Sequence, residues 1–103
     1  MRQLMKVRFE NAAANVALAD SQFGEKMQRL LTDIHAEAAY FTAIDGQRGA
    51  YIILDLENAA QIPAVAEPFF HWLKAEISFE PVMIPADLAQ AGPAIAEAAR
   101  AWG

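Results

Sequence analysis

Two apolar runs flank Asp45-Gly46-Gln47-Arg48 in the segment Ala36 to Glu57, AEAAYFTAIDGQRGAYIILDLE. Asp-Gly between strand-like runs is the strongest short-range signal for a β-hairpin, and it constrains the rest of this chain. Whether Asp45-Gly46 alone turns or all four residues loop out, the pairing parity is the same. Ala39, Phe41 and Ala43 then share a face with Ala50, Ile52, Leu54 and Leu56. Ala38, Tyr40 and Thr42 share the opposite face with Tyr51, Ile53 and Asp55. The first set is wholly apolar and should carry helices. The second mixes aromatic, hydroxyl and carboxylate groups.

The flanking segments supply partners for the hairpin. Leu4 to Glu10 alternates, with Met5, Val7 and Phe9 opposite Lys6, Arg8 and Glu10, which predicts a strand. Asn11 to Asp20 is Ala-rich and fits either a loop or a loose helical turn. From Ser21 the period changes: Phe23, Met27, Leu30, Leu31 and Ile34 form one helical stripe, with Asp20 or Ser21 as the cap. His35 closes that helix. Asn58-Ala59-Ala60-Gln61 fits a capping box ahead of a second stripe through Ile62, Val65, Ala66, Phe69, Phe70 and Leu73. Pro63 belongs at the start of that helix, and Pro68 should kink it. Ala75 to Ile84 predicts a fourth strand, and Pro81 assigns it to an edge. Residues 85 to 103 form a helical tail broken at Gly92-Pro93, with Leu88, Ile95 and Trp102 seven residues apart. That tail is long for its own domain and suited to lie along a partner.

The order strand, helix, strand, strand, helix, strand, tail predicts one α+β domain over residues 1–103. Right-handed crossovers place the first and third strands in the middle of a four-stranded antiparallel sheet with two helices on one face. This is the ferredoxin-like βαββαβ arrangement.

Apolar residues make up 55% of the chain, above the usual share; much of that is the very frequent Ala, and because the sheet has apolar residues on both faces, burial against a second subunit is expected as well. The net charge of −5, with no basic stripe, argues against nucleic acid as a partner. Without cysteine there is no disulfide scaffold, thiolate chemistry or Cys-ligated metal. His35 and His71 show no ligand spacing. No metal and no cofactor is therefore expected. The N-terminal stretch lacks a signal-peptide core, and no run approaches a membrane span, so a soluble cytoplasmic protein without a membrane partner is the expectation.

The face away from the helices holds the candidate site. It carries Lys6, Arg8, Tyr40, Thr42, Tyr51, Asp55 and Glu80, with Ser78 and the apolar Ala38, Ile53 and Val82 among them. Two such faces meeting across a two-fold axis would enclose a barrel-like cavity. In one reading Arg8 or Lys6 holds an anionic group, Tyr40 and Tyr51 flank an organic body, and Asp55 or Glu80 is a candidate base. In the other, Lys6 and Arg8 pair with Asp55 and Glu80 in a network that fixes subunit register. Asp45-Gly46-Gln47-Arg48 is turn chemistry first. No catalytic motif identifies a reaction, and no catalytic residue is assigned.

The segments EAAYFTAIDGQRGAYIILDLE, IPAVAEPFF and FEPVMIPADLAQAG resemble a group of small uncharacterised bacterial proteins with the dimeric α/β-barrel fold. The resemblance spans roughly Phe9 to Gly92. It implies a ferredoxin-like protomer that dimerises through its sheet, and it implies no activity. Some proteins of that group carry a pantothenate synthetase label, but this sequence lacks the His-x-x-His nucleotide-binding signature of such enzymes. The wider superfamily includes muconolactone-isomerase-like and cofactor-free monooxygenase-like enzymes.

Three functions follow as expectations. The first is a homodimer that binds a small organic anion between its sheets. The second is a cofactor-independent isomerase or monooxygenase-like enzyme acting on a small aromatic or organic acid. The third is a structural or interaction protein built on the tail.

Overall fold

The computed structural model describes residues 1–103. Four strands, β1 (Arg2–Arg8), β2 (Ala38–Ile44), β3 (Gln47–Asp55) and β4 (Glu76–Pro81), form one antiparallel sheet in the order β2-β3-β1-β4. Five helices accompany them: α1 (Asn11–Ala19), α2 (Phe23–Asp33), α3 (Ile62–Leu73), α4 (Pro85–Gln90) and α5 (Gly92–Trp102). The expected α+β class and four-stranded antiparallel sheet are therefore present, with β1 and β3 in the middle.

The hairpin turns on two residues. Asp45 and Gly46 have φ of 51° and 80°, and Ile44 pairs directly with Gln47. Left-handed backbone at both central positions gives the turn whose twist matches that of the flanking strands. Gly49 is a packing requirement of another kind. A Cβ there would lie 2.6 Å from Ile44 Cδ1 and 2.7 Å from the Val7 carbonyl oxygen. Ile44 folds over Gly49 and is buried despite standing at the hairpin tip.

The alternative left open for Asn11 to Asp20 is resolved as a helix. Ala14 and Ala17 are buried, so α1 approaches the sheet closely on its smallest side chains. Asn11 fixes its start to the hairpin: its Oδ1 accepts the Arg48 backbone N–H at 2.9 Å, and its Nδ2 donates to the Gly46 carbonyl at 3.2 Å. The Asn11 N–H donates in turn to Gln47 Oε1 at 2.9 Å. The turn before α2 is held by Asp20, whose Oδ1 accepts the Gln22 N–H at 2.9 Å. His35 ends α2 in left-handed backbone, φ 55°, where its N–H bonds the Thr32 carbonyl and that of Ala36 bonds Leu31. This is a Schellman closure with histidine where glycine is usual.

Before α3, the Asn58 side chain accepts the Ala60 N–H at 3.0 Å rather than the Gln61 N–H that the expected box requires; the Gln61 N–H bonds the Asn58 carbonyl instead. Gln61 does not complete it; its Oε1 takes the Glu57 N–H instead. Helix α3 runs through Pro68 and buries Val65, Ala66, Phe69 and Leu73. Ile62 and Phe70, expected on the buried stripe, lie at its margins and are exposed. His71 is exposed beside Glu67, and Trp72 packs on Phe23 with Lys26 Nζ 4.7 Å above its ring.

Helices α1, α2 and α3 cover one face of the sheet. Met5, Val7, Ala50, Ile52 and Leu54 meet Met27, Phe69 and Leu73 there in one core. Each fully buried large side chain contributes about 1.5–3 kcal/mol relative to exposure. The tail is different: no residue of α4 or α5 is buried.

Candidate functional site

Strand register arranges the helix-free face in rows, because residues directly opposite each other on antiparallel strands point to the same side. The middle row is Tyr40, Tyr51, Lys6 and Ser78. On one side of it lie Thr42, Gly49, Arg8 and Glu76; on the other lie Ala38, Ile53, Leu4 and Glu80. A last row sets Asp55 opposite Arg2, where the Val82 N–H bonds the Arg2 carbonyl.

The fold thus brings Lys6, Tyr40 and Tyr51 together and places Arg8 and Thr42 in the adjoining row. Glu80 stands on the other side of Lys6 and opposite Leu4. Asp55 is moved to a corner, two rows from Lys6. Tyr51, Ile53 and Leu4 are half-buried in the middle of the face, and Tyr40 at its β2 edge is 65% exposed.

The ion pairs within the chain differ from those expected. Arg8 Nη2 meets Glu76 at 3.1 Å, and Asp55 meets the Met1 ammonium at 2.9 Å. Neither Lys6 nor Glu80 has a charged partner within 4 Å in the chain. The reason lies in register: Glu76, not Asp55 or Glu80, is directly opposite Arg8, and β3 carries Gly49 on the other side of it.

Arg2 and Leu4 belong to this face and were outside the expected residues. The sequence-derived strand began at Leu4, with its faces assigned only from Met5 onward. The missed signal is that the same alternation extends back through Leu4 and Gln3 to Arg2. Arg2 makes a two-pronged pair with Glu37, Nε to Oε2 and Nη2 to Oε1, each at 2.9 Å. The hydrogen bond and then the charge of Glu37 raise the guanidinium above its already high range. The pair joins the start of β1 to the segment entering β2, bridging over β3.

Between Lys6, Arg8, Asp45, Glu76 and Ser78 the face is hollowed by about 230 Å³. A larger concavity of about 430 Å³ opens on the helix side, against the outer edge of β2. It is mainly apolar, lined by Phe9, Leu18, Phe23, Met27, Leu31 and Phe41 among others, with Arg48 at its rim. Arg48 Nε donates to Asn15 Oδ1 at 3.3 Å and pairs with no carboxylate. No three His, Asp or Glu side chains are grouped to hold a metal ion. No helix is long and apolar enough to cross a membrane. Compared with family models, with curated proteins and with solved structures, the chain matches none.

Proposed function

We propose that this chain is a ferredoxin-like protomer of the dimeric α/β-barrel kind, that two copies pair through their helix-free sheet faces, and that the enclosed space binds a small organic anion at Lys6. The observation that carries this reading is the middle row. Lys6 is a cation without a carboxylate, half-buried at the centre of the sheet, with Tyr51 directly opposite and Tyr40 beyond it. A cation with two aromatic residues in line on one side of it, on a face bordered by Leu4 and Ile53, suits a carboxylate joined to a flat or apolar body. Arg8 is the weaker candidate, because Glu76 already neutralises it.

The test has two parts. A solution mass at micromolar concentration is expected to give twice the chain mass, and a stable monomer would overturn the pairing. A thermal-shift screen of small organic acids is then expected to find at least one that stabilises wild type and not Lys6→Gln. A blank screen with a confirmed dimer would remove the ligand and leave the pairing.

A second reading rests on Glu80, a carboxylate that no cation in the chain neutralises. If the bound acid carries an acidic C–H, Glu80 is the group placed to act as a base toward it. Solvent-deuterium exchange into the acid found by the screen, lost in Glu80→Gln, is the expected signature of that isomerase-like activity.

A further inference from the structure

The tail and the edge of β2 are complementary surfaces that one chain does not bring together. Met83, Ile84, Leu88, Ile95 and Trp102 are all exposed, Trp102 by 91%, and from Ile84 onward every hydrogen bond is local to the tail. The molecule measures 57 × 27 × 21 Å, and its radius of gyration of 17.2 Å exceeds the roughly 13 Å of a compact chain this long.

Strand β2 lies at the sheet edge with the sequence AAYFTAI, which contains no charge and no proline. Such an edge invites pairing with another chain, and natural sheets cover or charge it. The opposite edge, β4, is protected by Glu76, Glu80 and Pro81. Beside β2, Phe41 is 55% exposed at the mouth of the 430 Å³ groove.

Symmetry connects the two surfaces. If the two-fold axis between facing sheets runs along their strands, it reverses the strand order and would set β4 of each copy over β2 of the other. The tail leaves directly from β4, so it emerges about one sheet spacing, roughly 10 Å, from the partner's uncovered edge. Its two helices span about 26 Å, enough to cross that edge and run along the groove.

Sheet pairing alone would leave the exposed Leu88, Ile95 and Trp102 of the tail and the apolar groove beside Phe41 in water. Charge is compatible: the groove's charged lining residue is Arg48, and the tail carries Asp87 and Glu97 against Arg100.

We propose that residues 85–102 of each copy clasp a second copy of this chain, crossing the outer edge of β2 and seating Leu88, Ile95 and Trp102 in the groove beside Phe41. The inference rests on the sheet-to-sheet pairing above and adds its second contact surface.

The test compares full-length wild type, Ile95→Glu and Phe41→Glu by sedimentation and by amide exchange. Ile95 is exposed, and Phe41 lies on the helix side of β2, so neither change touches the pairing sheet face. Each is expected to raise the dimer dissociation constant about tenfold or more, because each sets a charge in an apolar contact. Each should also speed exchange of the β2 amides that face away from β3. A wild-type dimer with dissociation constant and β2 exchange unchanged in both variants overturns the clasp and leaves the sheet pairing standing. A wild-type monomer at every concentration overturns both. Assemblies that keep growing with concentration and dissolve in Ile95→Glu would show tail exchange in open chains, and overturn the closed pair.

Discussion

Gly49 shows how one residue can hold a hairpin to its neighbour. The space a Cβ would need is occupied by the Val7 carbonyl, which is backbone of the central strand and cannot swing aside. Gly49→Ala should therefore destabilise the protein by about 1–3 kcal/mol, the range for overpacking a tight site, as read by denaturant titration. His35 and Lys74 present the opposite case. Both hold left-handed backbone, φ 55° and 50°, at the ends of α2 and α3. Glycine adopts that conformation without the ~1–2 kcal/mol cost of a side chain but is freer when unfolded, so His35→Gly should be neutral or stabilise by up to ~1 kcal/mol. Arg8 discriminates between assembly states. Its partner Glu76 is largely exposed, so in an isolated protomer Arg8→Ala should cost no more than about 1 kcal/mol. A cost of several kcal/mol that grows with protein concentration is expected once a second sheet covers the pair.

At the scale of elements, β2, β3 and α3 were legible because each satisfies one period with a clear start signal. Asp45-Gly46 set which residues of the hairpin share a face, since a two-residue and a four-residue turn give the same parity, and the structure adds the register by pairing Ile44 with Gln47. Helix α1 was not legible. An Ala-rich run has no contrast between faces, and what commits it is a tertiary contact, the three hydrogen bonds joining Asn11 to Gly46, Gln47 and Arg48. Asn11→Ala should accordingly cost about 1–2 kcal/mol and raise amide exchange throughout α1 while sparing α2. The candidate face was legible as a set of residues, but its pairings were not. Alternation tells which side a residue faces, and only the alignment of β4 on β1 tells that Glu76 rather than Glu80 lies beside Arg8. The groove beside Phe41 was invisible for a related reason. It arises where α1 and α2 stop short of β2, and no periodicity within a single segment records a gap between segments.

For the molecule as a whole, the same architecture sets an order in time. The β2–β3 hairpin joins neighbours in sequence and can form in about 1–10 μs. Pairing β1 with β4 brings Lys6 to Ser78 across most of the chain and must wait on a costly loop closure. The uncharged strand AAYFTAI is thus displayed early in folding, well before anything from a second chain can reach it. Refolding should consequently be a race. Yield of particles of native size is expected to fall as refolding concentration rises, through strand-to-strand association at β2. Replacing exposed Ala43 with lysine, a charge on the outermost strand, should slow that loss, as followed by light scattering, and, because Ala43 lies on the same side of β2 as Phe41, should also weaken any clasp at that edge. The uncovered edge of β2 is, during the first moments of the chain's existence, its main route to misassembly.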